Sequence, residues 1–158
     1  MKCLLLSMII LFGSMAFMAC SQTKTSAELD ASVWIEDYPQ ALELARETGK
    51  TILLNFTGSD WCGWCMRLNE EVFSQPEFNE FAEENLILLK LDFPNEIPQT
   101  DELIAQNRAL MQKHGVRGFP TIIFIDKDEN VIAVTGYRPG GVDGYLRHMT
   151  EIGIGVGM

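Results

Sequence analysis

The chain has 158 residues, with 22 Asp and Glu against 12 Lys and Arg, a formal charge of −10. That length fits one domain with a short appendage, and 47 % apolar residues can bury a core, so the chain as a whole is not disordered. The acidic balance argues against a nucleic-acid partner and against a polybasic membrane patch, both of which need clustered Lys and Arg.

The first twenty residues read as an address. Met1-Lys2 supplies a positive start, Leu4 to Phe12 a short apolar heart, and Gly13-Ser14 an interruption before small residues. That is a signal-peptide plan rather than a bundle of spans; an uncleaved anchor is the alternative for the same run. Phe17-Met18-Ala19-Cys20 resembles a bacterial lipobox, although the usual Leu three residues before the Cys is here Phe17. The resemblance implies lipidation at Cys20, export, and a membrane partner through a lipid anchor. Ser21 after the Cys resembles the outer-membrane default, so a periplasm-facing, outer-membrane-anchored protein is expected. Residues 1–19 are thus a signal peptide, 20–32 a lipidated Cys with a polar, flexible tether, 33–152 a folded domain, and 153–158 a tail.

Within the domain, Asp37 can cap a helix with Pro39 in its first turn, Ala41, Leu42 and Ala45 on one face, and Gly49 at its end. Thr51–Phe56 is a short apolar run between glycines and reads as a buried strand. A helix should begin near Cys62 and run through Leu68. Ser74 is the expected cap of the next, with Pro76 in the first turn and Phe78, Phe81 and Ala82 on one face. Leu86–Leu91 is a second strand with Lys90 as its one charge; Asp101–His114 is a helix closed by Gly115. Thr121–Ile125 and Val131–Thr135 form a hairpin across the turn cluster 126–130. A last helix spans Val142 to about Thr150. The Gly-punctuated end from Ile152 should be frayed or loosely packed. Strand–helix–strand units imply parallel pairing, and the hairpin adds an antiparallel edge. The fold class is α/β, a mixed central sheet with helices on both faces.

Four cysteines are present: Cys3, Cys20, Cys62 and Cys65. The first leaves with the signal peptide and the second takes lipid. The remaining i, i+3 pair is a poor staple, because the loop it closes is tiny. Trp61-Cys62-Gly63-Trp64-Cys65 after a strand, together with Gly118-Phe119-Pro120-Thr121 before a later one, resembles the thioredoxin family over roughly residues 34–152. The run from Asn55 to Cys65 is similar to the exported bacterial thioredoxin-like proteins of the thioredoxin_7 kind. The resemblance implies a thioredoxin fold and thiol–disulfide oxidoreductase chemistry on protein cysteine pairs, with a redox partner protein and no bound organic cofactor. Thiol–disulfide exchange requires a thiolate to attack a sulfur and a second thiol to resolve the mixed disulfide. A helix N-terminus favours the thiolate, which makes Cys62 the nucleophile and Cys65, one turn in, the more buried resolver. Gly63 and Trp64 are the spacer, where the family commonly has Pro; spacer residues tune the potential, so the direction of exchange stays open.

By the same resemblance Phe119-Pro120 is a cis peptide opposite the thiols, and the backbone at Phe119 pairs with a substrate chain as a short added strand. Trp61, Trp64, Phe119 and the Gly136-Tyr137 segment would form an apolar rim around Cys62, whereas Trp34 and Phe56 read as core. Two departures stand out. Thioredoxin has a buried Asp on the strand before the motif, and Asn55, which cannot exchange a proton at neutral pH, stands there. One extra residue also lies between Phe56 and the motif; Asp60 or Lys90 could take part of the missing role, although each reads more ordinarily as a solvated charge or a helix-start residue. His114 and His148 read as structural. A zinc site would need two more ligands, and the two His stand far apart, so no metal is expected. The alternative from a different class is a non-catalytic peptide-binding module with a permanently oxidised Cys pair.

Overall fold

The computed structural model describes residues 34–155. The expected signal peptide, the lipidated Cys20 and its tether lie outside the described residues, as do 156–158.

Strand β1, Thr51–Thr57, is buried at all of its positions, which is what a near-continuous apolar run requires of a strand covered on both faces. It pairs in parallel with β2, Leu86–Asp92, so that Asn55 lies beside Lys90 and Thr57 beside Asp92. On its other side it pairs antiparallel with β3, Thr121–Ile125, which pairs antiparallel with β4, Val131–Thr135. The order is β2-β1-β3-β4, and Ile35 adds one parallel bridge at the β2 edge. The sheet is mixed, as expected. The second strand–helix–strand unit, however, delivers β3 antiparallel rather than parallel. Connections of this length can return the chain in either direction, so spacing alone did not determine it.

Helices cover both faces. α1, Tyr38–Thr48, is capped by the Asp37 carboxylate, which accepts the Gln40 amide at 2.8 Å, and it ends on Gly49 at φ 74°. With α4, Asp101–Lys113, it buries Ala41, Leu42, Ala45 and Leu110 against Ile52, Leu54 and Phe56. The opposite face belongs to α2, Gly63–Leu68; a π-helical continuation, Asn69–Phe73; α3, Pro76–Asn85; and α5, Gly141–Glu151. Leu68, Val72, Phe73, Phe78, Tyr145 and Met149 pack there on Leu53, Leu88, Ile122 and Phe124. Each such side chain, taken fully out of water, contributes about 1.5–3 kcal/mol. β1 thus sends alternate residues to opposite cores, and Asn55 points to the α2 side.

Two local expectations need correction. Ser74 does not cap α3: the N-cap is Gln75, without a side-chain bond. Ser74 instead ends the π segment, and its hydroxyl accepts from Asn69. The π continuation uses up the residues that a short linker would have had. The end of the chain is not loose either, as far as Gly155. Ile154 is buried, its amide bonds to the Met149 carbonyl, and a side chain at 155 would strike Phe81 at 2.4 Å. The glycines there turn the backbone at positive φ, Gly153 at 86° and Gly155 at 76°, and so let an apolar residue fold back onto α3 and α5.

Candidate active site

The loop from β1 into α2 is short and anchored at every step. Ser59 donates its amide and its hydroxyl to the Asp92 carboxylate at 2.9 and 2.6 Å. Asp60 accepts the amides of Glu96 and Asn95, at 2.7 and 2.9 Å, and these bonds hold its carboxyl below the usual range. The Trp61 indole donates to the Phe93 carbonyl at 2.7 Å and comes close against Gly58, where a Cβ would meet it at 2.4 Å. The loops after β1 and after β2 are therefore laced together directly before the cysteines. Asp60 fastens the loop after β2 to the loop that carries the cysteines.

Cys62 is the N-cap of α2, with φ −85° and ψ 100°, and its sulfur accepts the Cys65 amide at 3.2 Å. Cys62 and Cys65 form a disulfide, with Cα atoms 5.2 Å apart. The two residues are almost equally buried, 7 % and 5 % exposed, so exposure barely separates them in the oxidised pair. Geometry separates them better. The amide directed at Cys62 sulfur favours negative charge on that atom. Cys65 instead lines a cleft of about 400 Å³ on the sheet side, together with Asn55, Ser59 and Lys90.

The aromatic side chains expected around the pair form two ledges. On one, Trp61 meets Phe119 edge-on at 5.7 Å between centroids, and Phe93 stacks on Phe119 at 5.2 Å. On the other, Trp64 lies 5.0 Å from Tyr137, with the Arg67 guanidinium over both rings. Glu71 fixes that second ledge by pairing with Arg67 at 2.6 Å and accepting the Tyr137 hydroxyl at 2.8 Å. Arg67, then Tyr137, holds the Glu71 carboxyl below its ordinary range. The Phe119-Pro120 bond is cis, and a side chain at 136 would press on the Pro120 carbonyl at 3.0 Å, so Gly136 is where the chain leaving β4 crosses this loop. Gly63 is exposed in the first turn of α2. Cys20 lies outside the described residues. Among the described residues, no three His, Cys, Asp or Glu come together in a way that could hold a metal ion, and no helix is long and apolar enough to cross a membrane.

A family model described as a thioredoxin-like domain matches residues 38–149, well over half the chain. The chain belongs to the thioredoxin-like family. This thioredoxin-like protein is 37 % identical over 116 residues to disulfide bond reductase DsbH of Chlamydia pneumoniae, covering 73 % of this chain and 70 % of that one. Against thioredoxin-related protein DsbJ of the same organism it is 32 % identical over 111 residues, 70 % of this chain but 31 % of that longer protein. A solved DsbH oxidoreductase structure superposes with a TM-score of 0.73 at 32 % identity, over 82 % of this chain and 91 % of that one. Thermus thermophilus thioredoxin superposes at 0.56 with 20 % identity, over 77 % and 87 %, which speaks to the fold alone.

The thioredoxin-like site contains residues that motif reading passed over. Arg67 and Glu71 stand at i, i+4 on the motif helix, a spacing that was open to detection. Phe93 and Asp92 were hidden, because a charge ending an apolar strand ordinarily reads as solvated; Asp92 is in fact buried. The core reading of Phe56 agrees with its full burial. Trp34 packs on Phe73 at 5.2 Å but also reaches the cleft behind Cys65. His148 bonds to the Thr135 hydroxyl, and His114 packs edge-on to Phe56, in keeping with structural roles for both. Burial lowers the pKa of each.

Proposed function

We propose that Cys62 and Cys65 are the catalytic pair of a thiol–disulfide oxidoreductase that exchanges electrons with cysteine pairs of other proteins. The observation that carries this reading is the Cys62–Cys65 disulfide at the start of α2, with the Cys65 amide directed at Cys62 sulfur. Reduced, the pair would present Cys62 as the attacking thiolate and Cys65 as the resolver. Attack forms a Cys62–client bond and releases one client thiolate. Cys65 then attacks Cys62 sulfur, closes the disulfide and releases the second. The client gains two electrons, and a partner dithiol protein restores the pair. Trp61 and Phe119 on one side, and the Trp64 ledge on the other, are the walls of the client groove, with the main chain of Phe119-Pro120 and Gly136, set close against the Pro120 carbonyl, beside it. Gly63 and Trp64 are the spacer.

We infer the reductive direction, since the similar DsbH protein is named a disulfide bond reductase. The work place is the bacterial envelope, with Cys20 as the lipid-bearing residue of a periplasm-facing chain. This part of the reading rests on the Met1–Cys20 pattern alone. The test is reduction of insulin disulfides by the chain in the presence of dithiothreitol. The intact protein should accelerate it and Cys62→Ser should not. An intact protein no faster than dithiothreitol alone would leave a peptide-binding module with a permanently oxidised pair.

A further inference from the structure

Resolution of a mixed disulfide requires Cys65, a buried thiol, to lose its proton, and burial in apolar surroundings makes that harder. Asn55, which lines the same cleft as Cys65, cannot take it. Its Oδ1 is buried and has no hydrogen-bond partner. Asp92 is the only carboxylate in the buried set among the described residues. It stands on β2 beside Thr57, and Lys90 Nζ pairs with its Oδ2 at 3.0 Å. The Ser59 hydroxyl donates to that same oxygen at 2.6 Å, while Ser59 itself lines the cleft with Cys65, Asn55, Thr57 and Lys90. The cleft, of about 400 Å³ and of mixed lining with Trp34 and Met66 beside the polar groups, has room for waters, and Asn55 Oδ1 offers one of them an acceptor.

We propose that Ser59 and Asp92 form a proton relay for Cys65, replacing a carboxylate at position 55 with one on the neighbouring strand. This rests on the reading of Cys62 and Cys65 as the exchange pair. The Cys65 S–H proton passes to a cleft water held by Asn55 Oδ1. That water gives a proton to Ser59 Oγ as Ser59 hands its own to the Asp92 carboxylate. The Cys65 thiolate attacks Cys62 sulfur, the Cys62–Cys65 bond forms, the Cys62–client bond breaks, and the client leaves as a thiolate. Asp92 ends protonated and returns its proton through the same path to solvent. Ser59 and Asp92 act through the water, so they are positioning residues for the proton. Lys90 Nζ, from β2, fixes Asp92 Oδ2. From the side of α4, Asn107 holds the Asp92 main-chain carbonyl at 3.0 Å, and Arg108 shares a smaller cavity with Asp92.

The two steps separate when the reduced full chain is mixed with excess 5,5′-dithiobis(2-nitrobenzoate) in a stopped-flow instrument. Attack by Cys62 releases one thionitrobenzoate in a concentration-dependent phase. Closure by Cys65 releases the second in a concentration-independent one. In Ser59→Ala and in Asp92→Asn the first phase should stay within about twofold and the second slow by at least about tenfold, as loss of positioned proton transfer does. Ser59→Thr, which keeps the hydroxyl, should restore the second phase. Two results overturn the relay: an unchanged second phase in both variants, or both phases slowed together, which marks a disturbed loop. Insulin reduction surviving in Cys62→Ser would instead remove the underlying assignment of the pair.

Discussion

At the scale of single residues, the site depends on contacts that carry no chemistry of their own. Gly58 is the sharpest case. Its φ is unremarkable, yet a Cβ there would sit 2.4 Å from the Trp61 indole, which cannot swing away without losing its bond to the Phe93 carbonyl. Gly58→Ala should therefore cost about 1–3 kcal/mol, the range of overpacking in a well-filled site. It should also change Trp61 emission, and denaturant unfolding followed by fluorescence checks both. A variant as stable as the parent, with unchanged emission, would show that the indole has room to move. This glycine was invisible as a site residue in the sequence, because its constraint comes from a neighbour three positions on. The cysteines were legible because their chemistry dictates residue type and spacing, and the cis proline through the family resemblance that Gly118-Phe119-Pro120-Thr121 carries. Ser59 and Asp92 were not, because their contact spans a separation of 33 residues that no local pattern encodes.

Among the elements, legibility followed burial. β1, β2 and β3 stood out as apolar runs because each is covered on at least one face by helices, and α1 by its Asp37 cap and Gly49 stop. The π segment Asn69–Phe73 escaped because no Gly or Pro marks it. Its Val72 and Phe73 reach the core only once the extra residue per turn is allowed for. That same widening carries the motif helix onward without a break, so Glu71 stays on the helix that bears Arg67 and can meet Tyr137 from beyond β4. β4 is an edge strand with Val131, Ile132 and Val134 exposed, so its strand character came from β-branched content and the 126–130 turn rather than from a buried face. The direction of β3 was the one topological feature that pattern did not carry.

For the whole molecule, the perturbed acids and histidines share one sign. Burial lowers His114 and His148 below the ordinary 6.5, aided by Lys113 and Arg138 respectively. Hydrogen bonds and ion pairs lower Asp60, Glu71, Asp126 and Glu129 below their ordinary 3.8 or 4.5. Each of these groups binds fewer protons folded than unfolded. The stability they add is present above the unfolded values and is lost as pH falls through the folded ones. The denaturant midpoint should therefore decline from about pH 6.5 downward as the histidines are reached, then again once the carboxylates protonate. A midpoint that rises on acidification over that span would contradict the assigned environments.

The central claim is that Cys62 bonds to a client protein and Cys65 releases it. Non-reducing electrophoresis with peptide mass mapping, after Cys65→Ser and Cys62→Ser are each offered a disulfide-bonded client such as insulin, tests it most directly. The account predicts a lasting adduct through Cys62 in Cys65→Ser and none in Cys62→Ser, because the sulfur at the N-cap of α2, which accepts the Cys65 amide, attacks and the one a turn further in only resolves. Adducts of equal yield on either remaining cysteine, or an adduct through Cys65 alone, would contradict it.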